Sequence, residues 1–154
     1  MNNFSKIGEA LKYIDDHLDQ QINLEVLSKK FFFSPFYFHR VFSVIVGKPL
    51  AAYIKERRIL YACRQLGSTN KSILEIALDS GFHSQQSFSR SFKRMQGLSP
   101  SEYRKRGYQP VIFSVDELVM KFANRLRGGI YLNPNIVKRD AIIIAGTCGN
   151  GNQT

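Results

Sequence analysis

A chain of 154 residues, 44% of them apolar, can bury a core without disulfide or metal staples and is not disordered. Its 22 Lys and Arg against 12 Asp and Glu leave a net charge of +10, which favours a polyanionic partner, either nucleic acid or an anionic membrane surface. Cys63 and Cys148 stand far apart without His or Cys at metal spacing. No apolar run approaches the ~20 residues that span a bilayer, and the opening MNNFSKIGEALKY lacks a signal-peptide core, so a reduced, soluble, cytoplasmic setting is expected.

Ile7, Ala10, Leu11, Ile14 and Leu18 recur at helical spacing, which predicts an amphipathic packing helix over residues 5 to 19. Asn23 can cap a second helix with Leu24, Leu27 and Phe31 as its stripe. Ser34-Pro35 opens a third, proline being tolerated at the first helical position because its missing N–H has no partner there. Phe38, Val41, Phe42 and Ile45 form its inward stripe, Phe36, Tyr37, His39, Arg40 and Ser43 are left to face outward, and Gly47 stops it. From Pro49 to Leu66 one long helix is expected, closed by Gly67. Ser72-Ile73-Leu74-Glu75 is a capping box opening a short helix to Asp79. Phe88, Phe92 and Met95 are the buried stripe of the next, over Ser84 to Gln96, with Gly97 as its stop. Ser99-Pro100-Ser101-Glu102 caps a last short helix that ends near Gly107.

These segments repeat. Fifty residues on from Phe38, Arg40, Phe42, Gly47 and Tyr53 stand Phe88, Arg90, Phe92, Gly97 and Tyr103, each the same residue type, and Ser34 likewise lands on Ser84. Upstream the offset is forty-nine, and the one-residue slip falls in the turn. Packing and stop positions match while exposed positions differ, as expected of a duplicated helix-turn-helix module, about residues 20–46 and 72–96, joined by a connecting helix.

After Gln109-Pro110 the character changes. Of the net +10, +8 lies in residues 1–110, from 17 basic and 9 acidic residues. Ser114 to Glu117 forms another capping box, and Val115, Leu118, Val119, Phe122 and Leu126 predict a helix ended by Gly128-Gly129. Ala141 to Ala145 reads as a buried strand, which cannot stand alone. The expected fold is therefore all-α: two helix-turn-helix subdomains within residues 1–108, then a linker helix and the beginning of an incomplete second domain over 109–154.

A helix-turn-helix places its second helix in the major groove, where side chains near the amino end reach base edges. Phe36, His39 and Arg40 make one such face, and Gln85, Gln86, Ser89 and Arg90 the other. Arg can donate twice to guanine, Gln can pair with adenine, and Phe36 can touch a thymine methyl. Lys48, Lys71, Lys93, Arg94, Arg104, Lys105 and Arg106, with the cap residues Ser34 and Ser84, are suited to phosphates, which give affinity and salt dependence without sequence reading. The bland alternatives are that Arg40 and Arg90 pair with acidic neighbours, that the glutamines are merely solvated, and that Phe36 is core. No nucleophile–base pair or carboxylate dyad points to an enzyme, and no cofactor or metal is implied.

The run ILEIALDSGFHSQQSFSRSFKRMQGLSPSEY, from Ile73 to Tyr103, resembles the signature of the AraC/XylS family of bacterial transcription regulators, and the resemblance extends over roughly residues 5 to 108. It implies insertion of two recognition helices into adjacent major-groove segments of double-stranded promoter DNA, activation through contact with RNA polymerase, and base-reading places at the seven residues of the two faces. The order of parts resembles the subgroup with a GyrI-like effector domain after the reader, Ile136 to Gly146 resembling its first strand. A small-molecule effector would then act only through a complete C-terminal domain. A helical module holding a protein partner or RNA without base reading is the alternative.

Overall fold

The computed structural model describes residues 2–126, and these are all-helical, in eight helices with no strand among the described residues. They are α1 Asn3–Asp16, α2 Leu24–Lys30, α3 Pro35–Val46, α4 Leu50–Ser68, α5 Ile73–Asp79, α6 Gln85–Gln96, α7 Pro100–Arg106 and α8 Val115–Leu126. The expected strand Ala141 to Ala145, the Gly128-Gly129 stop and the Ile136 to Gly146 segment lie outside the described residues. No described helix is long and apolar enough to cross a membrane.

The described residues divide into two compact units, residues 2–55 with 113–126, and residues 56–112. In the first, Asn23 caps α2 by accepting from the Val26 N–H, and Ser34 caps α3 with Pro35 behind it. Its buried side chains include Ile7, Ala10, Leu11 and Ile14 of α1, Leu27 of α2, and Phe38, Phe42, Ile45 and Val46 of α3. Val41 is only half-buried. Ser43, expected to face outward, is half-buried, with its hydroxyl enclosed and lacking a hydrogen-bond partner among the described residues. In the turn, Phe32 takes a left-handed φ of 59° at the repeat position where the second unit has Gly81 at 77°. That conformation costs a residue with a Cβ roughly 1–2 kcal/mol, and the Phe32 ring is 88% exposed.

The second unit builds its core from Ile59, Ala62, Cys63, Leu66, Ile76, Ala77, Phe88, Phe92 and Tyr103. Gly67 does not close α4 as expected. The helix runs through it to Ser68, and the Ser68 and Thr69 hydroxyls then take the carbonyls of Arg64 and Gln65, each at 2.8 Å. Gly67 instead admits a close chain approach, since a Cβ there would meet the Tyr108 carbonyl and the Gln109 amide at 3.3 Å.

The capping boxes of α5 and α7 are both formed, with Ser72 and Ser99 donating their N–H to Glu75 and Glu102 at 2.7 and 2.8 Å. Those N–H donors, then the serine hydroxyls, hold both carboxyls below their ordinary value. A depressed folded pKa contributes stability that is present above the unfolded value and lost as pH falls through the folded one. The melting temperature of the wild type should therefore fall more steeply below about pH 4.5 than that of Glu75→Gln/Glu102→Gln, which keeps acceptors that do not titrate. Parallel melting curves down to acid pH would show that the boxes carry no such linkage.

Candidate nucleic-acid interface

Each unit sets the second helix of its helix-turn-helix, α3 or α6, on an aromatic ladder. In the first unit Phe33 packs on Phe38, Phe38 on Phe42 and Phe42 on Tyr53, with ring centroids 5.7, 5.8 and 5.7 Å apart. In the second, Phe82, Phe88, Phe92 and Tyr103 follow the same order at 5.3, 5.5 and 5.3 Å. The ladder fixes which face of α3 and α6 is inward, and so which side chains remain outside.

On α3 the outside face holds Phe36, His39 and Arg40, all exposed. Phe36 is 78% exposed, so it is not core. Its neighbour Tyr37 is held from behind, accepting a hydrogen bond from the Asn3 side-chain amide at 2.8 Å while its ring lies on Phe33. On α6, Gln85, Gln86 and Arg90 are exposed and Ser89 is half-buried. The side chains of Arg40 and Arg90 make no ion pair or hydrogen bond among the described residues. The Ser34 and Ser84 hydroxyl oxygens accept from the Tyr37 and Ser87 N–H groups at 3.3 and 3.2 Å, as N-caps. That leaves each hydroxyl proton available for an outside acceptor.

The residues expected at phosphates fall into two sets. Lys93 and Arg94 in the last turn of α6, and Lys105 and Arg106 in that of α7, are exposed cations, Arg106 also donating to the Tyr108 hydroxyl at 3.4 Å. Lys71 and Arg104 are engaged inside the protein. The Lys71 ammonium sits 2.7 Å from Asp79, whose hydrogen bond and charge raise its pKa. Arg104 donates to the Leu66 carbonyl at 3.4 Å and the Lys71 carbonyl at 2.6 Å, tying α7 to the end of α4 and the loop before α5. Arg104 is thus a brace within the second unit, a role the basic run Arg104 to Arg106 conceals. Lys48 is half-buried and also has a partner within the protein.

The sequence reading missed α8's place. Expected as a linker helix, it packs on α1 and α3, with Leu118 and Phe122 buried, Val119 against Gly8, and Asp116 paired with Lys12 at 3.1 Å. Leu126, expected on the packed stripe, is exposed.

A helix-turn-helix domain family matches residues 27–106, from within α2 to the end of α7. The chain belongs to the AraC-type helix-turn-helix family of DNA-binding transcription regulators. Regulatory protein SoxS of Escherichia coli strain K12 is 41% identical over 100 residues, covering 65% of this chain and 94% of that protein. The HTH-type transcriptional activator AarP of Providencia stuartii is also 41% identical over 100 residues, 65% of this chain and 74% of AarP. Among solved structures, the DNA-binding domain of the global transcriptional factor AdpA in complex with a target DNA matches with a TM-score of 0.63 at 29% identity. It covers 65% of this chain and 90% of that one. An AraC-type regulator from Chromobacterium violaceum matches at 0.64 and 26% identity, covering 70% and 96%. α8 lies beyond the residues that the AraC-type family match covers.

Proposed function

We propose that this AraC-type protein reads an asymmetric promoter site as two adjacent major-groove segments, one through Phe36, His39 and Arg40 and the other through Gln85, Gln86, Ser89 and Arg90. The observation that carries the reading is the pair of arginines, Arg40 and Arg90, at equivalent positions of two matched helices, exposed and without internal partners among the described residues. An arginine so placed can donate both arms to guanine O6 and N7, the commonest base-specific contact in the major groove. Ser34, Ser84, Lys93, Arg94, Lys105 and Arg106 supply the phosphate contacts, and Lys48 contributes from beyond the end of α3. Lys71 and Arg104 support these contacts indirectly, by holding α5 and α7 in place.

The protein acts as a cytoplasmic transcription activator without enzymatic chemistry and touches RNA polymerase from its promoter site. AarP, an activator by name, supports that sense of regulation. Effector control resides in a C-terminal domain following the reader. Selection from random duplex tests the central claim: it should converge on a non-palindromic sequence with two conserved blocks about one helical turn apart. If random duplex competes as well as any selected sequence, base reading is wrong and the surface binds polyanions without discrimination.

A further inference from the structure

The carboxyl end of α3 is built differently from that of α6. An α-helix leaves its last four carbonyls without intrahelical donors, and the negative end of its dipole favours a cation there. α6 carries its own cations, Lys93 and Arg94, in its last turn. α3 has no basic residue in its last turn. Its final four carbonyls belong to Ser43, Val44, Ile45 and Val46, and the first accepts from the Gly47 N–H at 2.9 Å.

The missing cation comes from α8. Arg125 Nη2 donates to the Val44 carbonyl at 3.1 Å and the Ile45 carbonyl at 2.7 Å. The guanidinium lies 5.9 Å from the Phe122 ring centroid, and Phe122 is itself buried within the first unit. Gly47 shapes the seat on the other side. Its φ of 84° suits glycine, and a Cβ added there would run into the Arg125 guanidinium. Two constraints therefore converge on Gly47, its left-handed φ and the guanidinium beside it.

We infer that Arg125 is a positioning residue for the first reading helix, capping α3 in trans, so that α8 belongs to the DNA reader. The inference rests on the two-segment reading above. Loss of the cap frees the last turn of α3 and loosens its seat under α8, which lets the face bearing Phe36, His39 and Arg40 roll relative to the groove. The face on α6 has its cations in cis and is unaffected. Anything that pulls α8 away from α3 would then weaken one half of the site and spare the other.

The test uses the full chain, as wild type, Arg125→Ala, Arg125→Lys and the control Lys121→Ala, on the selected duplex and on two derivatives with one block scrambled in each. Arg125→Ala should bind the intact duplex about fivefold to tenfold more weakly. The loss should persist when the α6 block is scrambled and vanish when the α3 block is scrambled. The salt slope should not change, because Arg125 bonds to carbonyls and not to a phosphate. Lysine should restore part of the loss and Lys121→Ala should show none. Equal losses on both derivatives, or a salt slope lower by about one, would overturn the inference in favour of general destabilisation or a direct phosphate contact. A separate readout needs no DNA: amide exchange at Ile45 to Gly47 should quicken in Arg125→Ala. Unchanged exchange defeats the cap even if the duplex is read as proposed, whereas faster exchange in a protein that does not discriminate duplexes defeats the two-segment reading alone.

Discussion

Arg90→Ala is expected to bind its selected duplex roughly tenfold to a hundredfold more weakly and to lose its preference at one base pair, the ~1–3 kcal/mol that a bidentate arginine–guanine pair contributes. Arg40→Ala should do the same at one base pair of the other block. These two variants are informative because the exposed arginines brace nothing among the described residues, so the folded protein should survive their removal. Arg104→Ala is the misleading comparison. It would also weaken binding, but by releasing α7 from the Leu66 and Lys71 carbonyls. Lys93→Ala separates affinity from reading: binding should fall alike on selected and random duplex, with a salt slope lower by about one for the phosphate contact removed. Repeating the selection with each variant checks all of this. If Arg90→Ala and Lys93→Ala behave alike, with uniform loss and no relaxed position, Arg90 is a phosphate contact and α6 does not read bases through it.

The repeat explains how much of this was legible in advance. Phe38, Phe42 and Tyr53 could be matched to Phe88, Phe92 and Tyr103 from sequence because an aromatic ladder constrains residue type at each rung. The left-handed stops at Gly47, Gly97 and Gly107 were legible because φ values of 84°, 75° and 66° favour glycine. Gly67 misled the reading because glycine also serves close packing, and a chain returning some forty residues later leaves no local mark. Arg104 and Arg125 were hidden for the same reason: a guanidinium that reaches a distant carbonyl has the same local pattern as one that reaches water. Phe32 left a trace that could have been used, since the forty-nine-residue offset places it on Gly81, a turn glycine. The burial of Glu56 and Arg57 on α4 was not legible, since apolar periodicity carries no record of charged groups enclosed with partners.

Phe92→Ala should have the largest effect on stability. The ring is fully buried, 5.5 Å from the Phe88 ring centroid and 5.3 Å from that of Tyr103, the latter edge-on at 86°. Truncating such a ring removes its transfer free energy and leaves a cavity that the neighbouring rings fill only in part, together about 3–5 kcal/mol. Small domains hold only ~5–15 kcal/mol in total, so much of the second unit's margin would go. The lost rung lies on the inward face of α6, the helix that presents Gln85, Gln86 and Arg90, so its first functional trace should be in the footprint. Protection of the α6 block should fade at temperatures where the α3 block, resting on the separate ladder of Phe38, Phe42 and Tyr53, is still protected. Phe42→Ala should reverse the pattern. Urea unfolding followed by circular dichroism gives the energetic half of the test and footprinting the other. A cost below about 1 kcal/mol would mean that Phe88 and Tyr103 close over the gap. Loss of both blocks together at one temperature would mean that the two readers unfold as a single cooperative body.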